Sequence, residues 1–246
     1  MILILIILFS IIGSVGMIFG AGAFLLFKKK VQMKLIPCLI AYATGTLLAA
    51  ALLVMIPNAI SQSEPSLIMS VILGGIIFFF LLEKTIIWRH CHNEECKFHD
   101  AAGPIILIGD LFHNLIDGIV IAAGFLISIP IGIIISLSVA AHEIAQEIGD
   151  FAILLESGFS KRKSFLLNML SSSTTIPAAV ISYYILDIVR MIIPLILAIS
   201  AASFIYIALS DLIPDLHRKT GIRYNLRQIF LIFVGIGTIL LIFLID

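Results

Sequence analysis

The chain has 246 residues, of which 61% are hydrophobic and 12% charged, and its formal net charge is zero. Soluble domains run at roughly 45–50% apolar, so a mean hydropathy of +1.20 excludes a soluble globular fold, and without a basic field a nucleic-acid partner is excluded as well. Three cysteines (Cys38, Cys91 and Cys96) are too few and too unevenly placed for a disulfide framework.

A bilayer core is crossed by about 20 apolar residues. By that measure the sequence predicts eight spans, at roughly 2–27, 35–57, 66–87, 104–127, 131–156, 164–187, 191–215 and 229–245. The first begins Met1-Ile2-Leu3, with no positive n-region, and is followed by Lys28, Lys29 and Lys30. That is the pattern of a span with its N-terminus outside, not of a cleaved leader. Glycines in the first span (Gly13, Gly16, Gly20, Gly22) and small residues in the second (Ala43, Gly45, Ala49, Ala50) allow close helix approach in lipid. After Glu83 and Lys84, a polar loop over 88–103 collects His90, Cys91, His92, Cys96 and His99. It reads either as a metal-capture loop built on His90, His92 and His99 or as a plain polar linker. In span six, Asn168 and the hydroxyl run Ser171–Thr175 precede Pro177, the composition of a kinked packing helix. Span seven ends with Asp211 and Asp215 one turn apart, either interfacial groups or part of an exit route.

Orientation follows from the Lys/Arg bias of the loops. With eight spans and both termini extracytoplasmic, fourteen of the fifteen basic residues fall on the inner side and only Arg190 lies outside. Adding or removing one span scatters these clusters over both faces. The expected fold is therefore an all-α membrane protein of eight transmembrane helices forming one domain over 1–246.

Two polar patches interrupt this apolar chain, D-L-F-H-N-L-I-D-G at Asp110–Gly118 and H-E-I-A-Q-E-I-G-D at His142–Asp150. Ionisable groups inside spans mark a pathway or a site by default. The midpoints of spans four and five fall near residues 115–116 and 143–144, and a short turn near Pro130 makes the two helices antiparallel, so the patches meet at one depth. Helical spacing puts Asp110, His113, Asn114 and Asp117 on one stripe, and His142, Glu143, Gln146, Glu147 and Asp150 on the other. Imidazole nitrogens with carboxylate and amide oxygens are the ligands that Zn²⁺ and related divalent ions accept. Two ions fit with Asp117 as bridge, His113 and His142 on one side, Asn114 and Glu143 on the other. The stripes continue inward through Asp110, Glu147 and Asp150, as a conduction route needs and a fixed site does not.

The motifs H-N-L-I-D-G and H-E-I-A-Q-E-I-G-D resemble the fourth- and fifth-helix signatures of the ZIP family of divalent metal transporters. The eight spans, the outside termini and the His-containing loop between spans three and four are similar to that family as well. The resemblance implies a 3+2+3 helix arrangement and a binuclear transport site of His113, Asn114, Asp117, His142, Glu143 and Gln146. It further implies uptake of Zn²⁺, or of Fe²⁺ or Mn²⁺, into the cytoplasm across the plasma membrane, by a homodimer with alternating access, and no cofactor beyond the transported ion. The related subgroup usually reads H-E-X-P-H-E-X-G-D; here Ala145 and Gln146 replace the proline and second histidine. Exchanging a nitrogen ligand for an amide oxygen weakens zinc relative to harder ions. Two rival readings are a metal-sensing receptor that does not transport and an intramembrane metalloprotease. The protease needs H-E-x-x-H, which Gln146 breaks, so no enzyme is expected.

Overall fold

The computed structural model describes the chain except for residues 25, 91–97, 189, 218–220 and 245–246. Its described residues form helices and no strand. Among the described residues, eight helices are long and apolar enough to cross a membrane: Ile2–Phe24, Lys30–Gln62, Pro65–Leu82, Asp110–Ile127, Ile129–Phe151, Lys161–Leu186, Arg190–His217 and Tyr224–Leu244. They are called spans one to eight, and they match the expected eight to within a few residues. Between spans three and four the helices run on to His90 and resume at Phe98. Residues 91–97, with Cys91, His92 and Cys96, lie outside the described residues, as do the side chains of His90 and His99.

Local chemistry sets the ends. Only Ser128 separates spans four and five; its hydroxyl accepts the Ile131 backbone N–H at 3.3 Å, and Pro130 occupies the first turn, where its missing donor is not needed. The helix of span five runs to Glu156 and closes at Gly158, whose φ of +83° permits the left-handed turn that returns the 158 and 159 amides to Leu155 and Leu154. Span six starts at Ser160, whose hydroxyl accepts from the Lys163 amide. It breaks at Ser173–Thr174 rather than at Pro177, which sits in the first turn of the next segment, Thr175–Ile188.

Spans four and five pack on each other and are surrounded by spans one, two, six and seven. Span four approaches span six at Gly118, where an added Cβ would meet the Thr175 carbonyl and Ala178. This close approach brings the hydroxyls of span six to the seam between four and five. The seam has two halves. Toward Ser128 it is dry, filled by Val120, Ile121, Phe125, Ile131, Ile134, Ile135 and Val139. From His113 and His142 away from that turn it is polar, and Asp110, Asn114, Asp117, His142, Glu143, Glu147 and Asp150 are all buried.

Candidate metal centre

The polar half takes its form from the helical period. Asp110, His113, Asn114 and Asp117 share a face of span four, with Phe112 turned outward. Opposite them, His142, Glu143, Gln146, Glu147 and Asp150 line span five. The two stripes meet as their spacing predicts. His113 Nε2 lies 2.7 Å from His142 Nε2, and Asp117 Oδ2 lies 3.4 and 3.3 Å from those two nitrogens. Glu143 Oε1 is 3.8 Å from His113 Nε2. His113, Asp117, His142 and Glu143 thus each offer a ligand atom within 4.8 Å of the others.

The tautomer of His142 is fixed by its surroundings. Its Nδ1 lies 2.9 Å from the Ser138 carbonyl, which only accepts, so Nδ1 carries the proton and Nε2 presents its lone pair to the group. Phe204 of span seven packs edge-on at 5.6 Å between ring centroids and holds the ring in place. Tetrahedral zinc with bonds of about 2.0–2.1 Å separates its ligands by about 3.3–3.4 Å. The two Asp117–histidine distances already have that value, so seating an ion asks that the two imidazoles part slightly and that Glu143, 3.8 Å from His113, close in.

A second group lies along the same seam. Asp110, Glu143 and Glu147 each place an oxygen within 4.8 Å of the others. Asp110 Oδ1 accepts from the Asn114 amide at 2.9 Å and the Gln146 amide at 2.8 Å. The Asn114 oxygen in turn accepts from Thr175 at 2.8 Å, and Ser172 donates to Glu147. Asn114 and Gln146 thus both donate their amide N–H groups to Asp110. Spacing alone makes Asp117 the bridge; in the structure Glu143 is the residue common to both groups. Asp150 lies buried further along, with Oδ2 lacking a hydrogen-bond partner. Asp211 sits in a π-helical turn, Ala208–Leu212, exposed and accepting from Ser210.

Thr175, Ser172, Ser138 and Phe204 are site neighbours that the spacing argument misses. The hydroxyl run in span six was the available signal, but periodicity along one helix does not reveal which hydroxyls a neighbouring helix will meet.

Fold and site define a class: a multi-pass helical membrane protein with a buried histidine–carboxylate constellation between two inner spans. The chain belongs to the ZIP Zinc transporter family, whose model matches residues 88–243. It is 35% identical over 134 residues to "Zinc transporter zipt-7.2" of Caenorhabditis elegans, covering 53% of this chain and 29% of that protein. With "Zinc transporter ZIP13" of Danio rerio the identity is 31% over 167 residues, 64% of this chain and 45% of the other. "Zinc transporter YKE4" of Saccharomyces cerevisiae is 27% identical over 240 residues, 82% of this chain and 69% of the relative. The chain thus spans less than half the length of the first two of these relatives.

Proposed function

We propose that this protein carries divalent metal ions, Zn²⁺ foremost and Fe²⁺ or Mn²⁺ besides, across a membrane into the cytoplasm. The observation behind this reading is the convergence of His113, Asp117, His142 and Glu143 within 4.8 Å midway along two buried spans. Their nitrogen and oxygen donors suit zinc and its neighbours. No thiol is among them, so an ion is held firmly enough to enter and loosely enough to leave. Relatives named as zinc transporters favour the same cargo.

In this reading His113, Asp117, His142 and Glu143 bind the ion as it sheds water, with the amide oxygens of Asn114 and Gln146 completing the ligand set. Asp110, Glu147, Asp150 and Asp211 then mark the way to the cytoplasm, with Asn114 and Gln146 holding Asp110. Exchange of one carboxylate for another lets the ion advance without being fully stripped of ligands. We assign both termini to the outer side, from the Lys/Arg bias, and infer a 3+2+3 arrangement and a homodimer in the plasma membrane. The His/Cys segment over 88–103 would serve as an inner capture loop, and no chemical conversion of a substrate is involved.

The test is metal-resolved uptake with a competition panel in cells expressing the chain. Saturable uptake of zinc, reduced by excess Fe²⁺ or Mn²⁺, is expected. Uptake equal to that of cells lacking the chain, with the protein present at the surface, would contradict the reading.

A further inference from the structure

Far from the metal centre, the start of span eight carries a charge that nothing in the fold answers. Arg227 lies in the second turn of the helix Ile222–Leu244 and is only partly exposed. Its Nε and Nη2 are closed off from solvent and have no hydrogen-bond partner. Among the described residues no carboxylate stands within ion-pair distance of it. The guanidinium carbon stands 5.3 Å over the ring of Tyr224, a contact that leaves the charge unpaired. A guanidinium does not shed its proton in a protein, and a buried charge needs a partner.

The field of the helix adds to that demand. A helix N-terminus is itself positive and is stabilised by acids. This helix has no acid in its first turn, where the sequence places Arg223 instead. Nor does the neighbouring helix supply an anion. Spans two and eight pack closely, since an added Cβ at Gly45 would meet the Ile232 carbonyl and one at Gly235 the Tyr42 carbonyl. The adjoining end of span two offers Lys30 and Lys34, both exposed.

What lies beyond Arg227 tells which anion fits. Residues three and seven positions along a helix continue its face, and here these are Phe230 and Val234, apolar and exposed. On the opposite side span eight is docked: Gln228 donates to the Leu216 carbonyl at 3.2 Å, and Leu231 packs on Ile40 and Leu216. The open face is thus cationic at its tip and apolar along its length. A soluble phosphate meets only the tip. A phospholipid meets both.

We propose that Arg227 binds the phosphate group of an anionic phospholipid, whose acyl chains lie along Phe230 and Val234. The planar fork of arginine matches phosphate oxygens bidentately, and basic groups at the cytoplasmic ends of spans attract such headgroups. No hydrogen bond holds the Arg227 side chain, so turning its fork from the Tyr224 ring toward the headgroup breaks none. Tyr224 marks the interfacial level, as tyrosines at span ends do. The site does not depend on metal transport; only its assignment to the cytoplasmic leaflet rests on the orientation proposed above.

The test titrates the purified full chain in detergent with phosphatidylglycerol or phosphatidylcholine of equal chain length and counts bound lipid by native mass spectrometry. Wild type should hold one phosphatidylglycerol at least about tenfold more tightly than phosphatidylcholine, 1.4 kcal/mol. Arg227→Gln should bind the two lipids equally. Arg227→Lys keeps the charge, loses the fork and should fall between. Lys34→Gln removes an exposed charge nearby and should keep the preference. Equal affinity for the two lipids in wild type, or an undiminished preference in Arg227→Gln, would overturn the site. Should Arg227→Gln fail to fold, an undiminished preference in Arg227→Lys would overturn it instead. Inorganic phosphate separates the two sources of the anion. At equal concentration it should leave the lipid bound, and displacement of the lipid would overturn the lipid assignment in favour of a soluble phosphate.

Discussion

Spans four and five form one helix pair with two unlike halves. Near Ser128 the seam is filled by Ile121, Phe125, Ile134 and Ile135, all buried and apolar. Around and beyond His113 and His142 the same two helices bury five acids, two of them, Asp117 and Glu143, with both oxygens lacking hydrogen-bond partners. The dry half shows that this pair packs well by shape alone. Were the polar half present only to fix helix register, its groups would satisfy one another, since a half-satisfied buried network is worse than an apolar one. The open oxygens are what the proposed transport of a cation needs.

Breaking the polar half should have the largest effect. Asp117→Ala and His142→Ala are each expected to lower metal uptake more than about a hundredfold with surface expression retained, because partners one shell further out already account for 10–100-fold in metal affinity. Uptake assays with surface labelling check this. Gln146→His sharpens the comparison by adding a nitrogen donor beside the histidines. Competition uptake should shift toward zinc over Mn²⁺ by about tenfold, 1.4 kcal/mol. Acidification tests the same half, since imidazoles must be deprotonated to bind metal. Uptake should fall several-fold from neutral to mildly acid pH, and a flat profile would remove His113 and His142 as ligands.

The dry half should respond differently. Phe125→Ala removes a fully buried ring and should lower thermal stability by about 3 kcal/mol, while competition uptake shows the same metal preference. Thr175→Val deletes one hydrogen bond to Asn114, worth about 1 kcal/mol, and should change uptake only about fivefold.

Most of this division was readable before the structure. Eight spans follow from apolar length and lysine clusters, and the meeting of His113 with His142 follows from helical period and the short turn at Pro130. The partners of Asn114 and Gln146 did not follow. An amide both donates and accepts, so its choice of Asp110 depends on neighbours that periodicity does not supply. The contribution of span six was hidden for a related reason: Ser172 and Thr175 reach the seam because the helix breaks at Ser173–Thr174 and because Gly118 lets that helix come close. Glu143 as the common residue depends on side-chain reach across two helices, which spacing leaves open between it and Asp117.

The central claim is that the polar half of the seam moves metal and does not merely hold it. Radiolabelled zinc flux into proteoliposomes containing the purified chain tests this most directly, with Asp117→Ala as the paired control. Saturable flux in wild type that disappears in Asp117→Ala is the predicted result. Saturable zinc binding with no flux in wild type would contradict it and identify a receptor that binds metal without carrying it.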